Sequence, residues 1–296
     1  MSTPPHPDLP ETAAAKGRPA FPRPGSSLDH ALRLTPPARR PALGLWLQWW
    51  HDISRIPHEV RDPGVAEAKL GWWLQEIAEL AQGRARHPLT RGWVALGLGE
   101  ADGVPMACWQ QQVEGMMQLV HQTRWMDEAA LQRHMLQTTG AAAEGAARLL
   151  GVRSEPGLAA ARALGQGLRQ AHQLARIGQD ARAGWVMVGI DWLQRHEVRA
   201  HQLSKPERPM PAGWDALMAA LHVRARDSLR EALAQVNALP SAEANALRPL
   251  VYLAHTSLAL NDAVRATGDT VLHQRVVLTP LRKGWLAQRA RWGWLR

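Results

Sequence analysis

The sequence has one cysteine, one phenylalanine and one tyrosine in 296 residues. A lone Cys108 cannot close a disulfide within the chain or build a cysteine-rich metal site. Disulfide-stapled secreted scaffolds are thereby excluded, and a cytoplasmic protein is expected. No apolar run reaches the roughly 18 residues of a membrane-spanning helix. The N-terminus, MSTPPHPDLPETAAAKGRPAFPRPG, lacks the apolar stretch of a secretory signal. No segment alternates apolar and polar residues as a half-buried strand does.

The 14 tryptophans fill the gap left by phenylalanine and tyrosine. Their simplest reading is core packing by large apolar side chains. Hydrophobic residues reach 46%, enough for a buried core, and the net charge is +9. A basic balance suits nucleic acid, an anionic membrane surface or an anionic small ligand. The charge is spread along the chain with no nucleic-acid motif, so no nucleic-acid partner is expected.

Residues 1–33 are rich in Pro, Gly, Ser and Ala and read as a disordered tail. Residues 34–296 read as helices separated by Pro, Gly and Asp breaks, hence all-α. The first long helix is expected from Pro41 to about Val60, with Pro57 as a kink or end. Asp62 and Pro63 form an N-cap and first-position pair. A helix from Asp127 runs toward Leu150 and ends at Gly151. Further helices are expected over 158–177, 214–239, 242–267 and 271–292.

Four runs, in order, carry a resemblance. They are DPGVAEAKLGWWLQE at 62–76 with HPL at 87–89; HQTRWMDEAALQRH at 121–134 with GAAAEG at 140–145; LGQGLRQAHQLARIGQDARAG at 164–184 with DWLQRHEV at 191–198; and LHQRVVLTPLRK at 272–283. In type, order and spacing they resemble the squalene/phytoene synthase family. The resemblance implies an isoprenoid-synthase-like helical bundle around a central cavity. It also implies head-to-head condensation of two prenyl diphosphates, with two aspartate-rich motifs holding Mg²⁺ against the diphosphates.

The scaffold runs persist while the chemical positions do not. Where the first motif has the form DDxxD, this chain reads Ser54, Arg55, Ile56, Pro57, His58. Asp52 and Glu59 flank it, each turned about 100–200° around the helix from the position it would replace. The second motif, N-x-x-R-D-x-x-x-D, is matched by His172, Ala175, Arg176 and Asp180, so only Asp180 survives. The family's following G-R-x-Y-L-P is here Gly184, Trp185, Val186, Met187, Val188, Gly189. Leu119 holds an acidic position, Trp125 a tyrosine position, and Ala143 the glycine position before Glu144. A charge such as that of Arg176, about 5 Å from a divalent cation, costs roughly 7 kcal/mol at an effective dielectric of about 20.

These substitutions imply a non-catalytic relative with no metal or other cofactor, kept folded to bind a prenyl diphosphate or prenyl lipid, or to partner an active family member. The candidate ligand-binding residues are Arg55, Glu144, Arg176 and Asp180. Arginine forks there could take the place of metal against phosphate oxygens. An alternative is an active prenyltransferase with an altered site, which alone would need Mg²⁺. A third is a membrane-surface assembly factor. Arg282, Lys283, Arg289, Arg291 and Arg296 interspersed with Trp285, Trp292 and Trp294 suit peripheral contact through 282–296 with the inner face of a membrane.

Other motifs carry less. His51 and His58 share a helix face near Asp52 and Glu59, but the spacing is not that of a zinc helix. Ser54 has no nucleophile elbow around it. Gly97-Leu98-Gly99 lacks the preceding strand and third glycine of a dinucleotide fingerprint.

Overall fold

A computed structural model describes residues 21–98, 103–206 and 208–295. The chain is all-α. Its helices are α1 (Ser27–Leu34), α2 (Arg40–Glu59), α3 (Pro63–Ala81), α4 (Pro88–Ala95), α5 (Met106–His121), α6 (Glu128–Met135), α7 (Ala141–Leu149), α8 (Glu155–Leu174), α9 (Ile177–Arg182), α10 (Ile190–Arg195), α11 (Ala200–Ser204), α12 (Trp214–Asn237), α13 (Ser241–Ala246), α14 (Arg248–Thr267) and α15 (Pro280–Arg291).

The cap chemistry expected from the sequence sets several boundaries. The Asp62 side chain accepts the Val65 N–H, and Pro63 opens α3. Gly151, at φ 93°, ends the α6–α7 stretch in a backbone conformation suited to glycine. Within that stretch a π-turn at Leu136–Gly140 joins the two helices, and Thr138 Oγ1 donates to the His134 carbonyl at 2.7 Å.

Several expectations need correction. The segment counted as tail up to residue 33 contains α1, capped by Ser26 and packed on α14 and α15 with Ala31 buried. Residues 1–20 lie outside the described residues. Pro57 does not end α2, which runs on to Glu59. Its missing N–H removes one bond in the last turn, where Val60 N–H still reaches the Ile56 carbonyl at 3.1 Å. The 242–267 helix is divided at Leu247, with Pro249 in the first turn of α14. The last helix begins at Pro280 rather than 271, because Thr279 caps it and the proline fits the first turn. Two short strands also occur, β1 (Arg124–Trp125) and β2 (Val186–Gly189), paired in parallel.

Helix α8 is central, with α7, α12 and α14 packed against it. Gly165 permits the closest approach: a Cβ there would lie 2.4 Å from the Thr139 carbonyl oxygen. Around α8 forms one apolar cluster, including Leu164, Leu221, Leu229 and Val264. A second cluster joins α2, α3, α4, α5 and α7 around Trp46, Trp49, Trp73, Trp93 and Trp109. A large cavity opens between these two groups of helices, lined from both.

Candidate functional site

Helix α2 divides its residues by face. Trp46, Trp49, Ile53 and Pro57, spaced three and four apart, are buried in the tryptophan cluster. His51, Arg55 and His58, spaced four and three apart, line the cavity. From the opposite wall α8 presents Arg169 and His172, three residues apart on one helix face, and Arg176 follows at the start of α9. Asp180 of α9, with Arg275, Val277 and Lys283 near the C-terminus, completes that wall. The cavity holds about 2520 Å³, well above the 300–1,000 Å³ of ordinary ligand pockets. Leu45, Trp72, Trp73 and Leu89 give its α2–α4 side an apolar part beside polar residues of the same helices.

The structure brings Ser54, Arg55, His58, His172, Arg176 and Asp180 to one cavity. Five of them are placed by specific contacts. Ser54 Oγ donates back to the His51 carbonyl at 3.1 Å. Arg55 Nε donates to Glu59 at 2.6 Å, and its Nη1 lies 3.1 Å from His51 Nε2. The His58 ring meets the Trp185 ring edge-on at 4.7 Å. Arg176 Nε and Nη2 both donate to Asp180 Oδ1, at 3.0 and 2.9 Å.

Glu144 is the correction. Arg148 Nη2 donates to its Oε1 at 2.8 Å and Arg162 Nε to its Oε2 at 2.7 Å. Both oxygens face these arginines, and Glu144 is not among the cavity-lining residues. It holds α7 to α8.

Sequence reasoning missed Arg169. It stands three residues before His172 and seven before Arg176, so helical spacing alone would have grouped them. Among the described residues no hydrogen-bond or ion-pair partner meets its guanidinium. Burial lowers its pKa; Asp180 opposes that, and Arg176 adds to it. Asp180 is itself engaged by Arg176. Burial, then Arg169, pushes His172 down to about 4, and Arg275, Arg176 and Lys283 push the same way. Burial and then Arg169 bring His58 down to about 4. Four cations, Arg169, Arg176, Arg275 and Lys283, thus surround two neutral imidazoles and one carboxylate. Such a wall attracts anions.

The donor set does not fit a magnesium cluster. Mg²⁺ takes hard oxygen donors, chiefly carboxylates and substrate phosphates. Of the four carboxylates that the described residues place on this cavity, Asp52 accepts from Gln48 at 3.0 Å, Glu59 pairs with Arg55, Asp62 accepts the Val65 N–H at 2.9 Å, and Asp180 pairs with Arg176. Among the described residues no three His, Cys, Asp or Glu side chains converge as metal ligands.

His134 gives the cavity a pH signature. It is 3% exposed, and burial, then Arg169, brings its pKa down to about 3. The unfolded ring titrates near 6.5. The folded state therefore binds fewer protons than the unfolded state between those values, and stability falls as pH drops. We expect the urea midpoint to decline steadily from pH 6.5 toward 4. His134→Asn should flatten that decline, and an unchanged slope would contradict it.

Comparison with known proteins agrees with this architecture. The squalene/phytoene synthase family model matches residues 21–282. The chain belongs to the squalene/phytoene synthase family. The fold is shared with a dehydrosqualene synthase crystallised with a ligand, at 15% identity, TM-score 0.77, over 90% of this chain and 91% of that one. It is shared with squalene synthase HpnC from Alicyclobacillus acidocaldarius, at 16% identity, TM-score 0.71, over 81% and 88%. YisP from Bacillus subtilis is also similar, at 15% identity, TM-score 0.63, over 88% and 89%. A comparison with curated proteins found no match.

Proposed function

We propose that this chain is a non-catalytic member of its family that binds a prenyl diphosphate without metal. The apolar part of the α2–α4 side, around Leu45, Trp72, Trp73 and Leu89, takes the isoprenoid chain. Arg169, Arg176, Arg275 and Lys283 take the diphosphate. The observation that carries this reading is four cations lining one large, partly apolar cavity, one of them, Arg176, at a family carboxylate position. Guanidinium groups match phosphate oxygens in geometry and charge. A divalent ion would supply the additional Lewis-acid stabilisation of the departing group, and the donors for it are engaged elsewhere.

The test is calorimetric binding of ten-, fifteen- and twenty-carbon prenyl diphosphates, in Mg²⁺ and in EDTA. Diphosphate release and hydrocarbon products would be assayed in parallel, with an intact family member as control. Saturable binding of similar strength in both buffers, without turnover, is expected. Metal-dependent turnover like the control's would establish an active enzyme instead. Failure to bind any of the three would remove the ligand assignment.

A further inference from the structure

We propose that α15 and the residues after it dock the protein on an anionic membrane surface. The inference is independent of the ligand reading. Helix α15 is apolar on two opposite faces. Leu286 and Ala290 face the core and are buried. Leu281, Trp285 and Trp292, four and seven residues apart, lie on the other side, at 86%, 55% and 50% exposure. Trp294 follows at 60% exposure. The Trp285 and Trp292 rings stand 6.3 Å apart and the Trp292 and Trp294 rings 4.6 Å apart, so the three form one exposed cluster.

Charge identifies the occupant. At about 100° per residue, Arg282 and Arg289 flank this stripe on one side and Arg291 on the other. No Asp or Glu occurs from Thr270 to Arg296. An apolar stripe of Trp and Leu edged by arginines matches the boundary between lipid headgroups and acyl chains. Arginines near a negative surface add attraction that salt screens. No described helix is long and apolar enough to cross a membrane, so the contact is peripheral.

Vesicle sedimentation without prenyl ligand tests this, using phosphatidylcholine with and without phosphatidylglycerol. The protein should sediment with the anionic vesicles, weakly with neutral ones, and less as salt rises. The double variant Trp285→Ser/Trp292→Ser should lower partitioning roughly tenfold or more. The triple variant Arg282→Glu/Arg289→Glu/Arg291→Glu should do the same. Circular dichroism and the thermal midpoint check that the exposed substitutions leave the fold intact. No sedimentation with anionic vesicles would overturn the proposal, as would equal partitioning of folded variants. A concentration-dependent dimer that the tryptophan variant abolishes would assign the patch to a second copy instead. Calorimetric ligand binding uses no vesicles, so either proposal can fail alone.

Discussion

Arg169→Glu should reduce prenyl diphosphate binding more than a hundredfold, in EDTA as in Mg²⁺. The guanidinium stands inside the cavity with no hydrogen-bond or ion-pair partner among the described residues. Its charge bears on His58, His134 and His172 alike, which marks it as central to the cationic wall. One unit of opposite charge about 5 Å away is worth roughly 3 kcal/mol at an effective dielectric of about 20. Reversal removes that attraction and adds repulsion. Arg169→Met should weaken binding less, and it should leave stability unchanged or raise it, because an unpartnered buried cation is costly to the folded state. That pairing of lost affinity with kept stability separates a ligand-binding residue from a structural one. Arg176→Ala provides the contrast: it frees the buried Asp180 carboxylate, so affinity and stability should fall together. Calorimetry and urea unfolding of the three variants measure both quantities. Unchanged affinity in Arg169→Glu would remove the anion site from this wall.

What the sequence disclosed follows the range of the physics involved. Local signals held. Asp62 and Pro63 begin α3, and Gly151 ends α7, because capping depends on neighbouring residues only. Helix α1 escaped notice because eight residues in a Pro- and Gly-rich stretch have little periodicity. It is packed on α14 and α15, contacts made far along the chain. Glu144 was taken for a ligand group because Arg162, one of the two arginines that occupy it, lies on the next helix. Arg169 was overlooked for a different reason. It stands at no motif position, and only the helix face it shares with His172 ties it to the site. The tryptophans divide by position: five of the largest fully buried side chains are Trp46, Trp49, Trp93, Trp109 and Trp125, whereas those at the C-terminus face outward. Composition alone could not make that division.

Trp46→Ala should cost about 3–5 kcal/mol of stability, the range of large aromatic truncations in a core. Trp46 has no exposed surface. Its ring stacks on Trp49 at 5.1 Å and meets Trp109 edge-on at 4.8 Å. Its Nε1 donates to the Ala142 carbonyl at 2.8 Å. The ring also lies against Gly145, where an added Cβ would come within 2.3 Å of it. Truncation therefore opens a cavity, breaks aromatic contacts and removes a hydrogen bond from α2 to the α7 backbone. Trp46→Phe should keep most of the packing and lose mainly the hydrogen bond, about 1 kcal/mol. Gly145→Ala approaches the contact from the other side, through overpacking, and should cost about 1–3 kcal/mol. The consequence extends to ligand binding, because α2 carries Trp46 on its buried face and His58 on its cavity face. Loosening the helix should weaken binding in Trp46→Ala even under conditions where the variant remains folded. Urea unfolding ranks the three variants. If Trp46→Ala proved as stable as Trp46→Phe, the tryptophan cluster would not be what fixes α2 against the cavity.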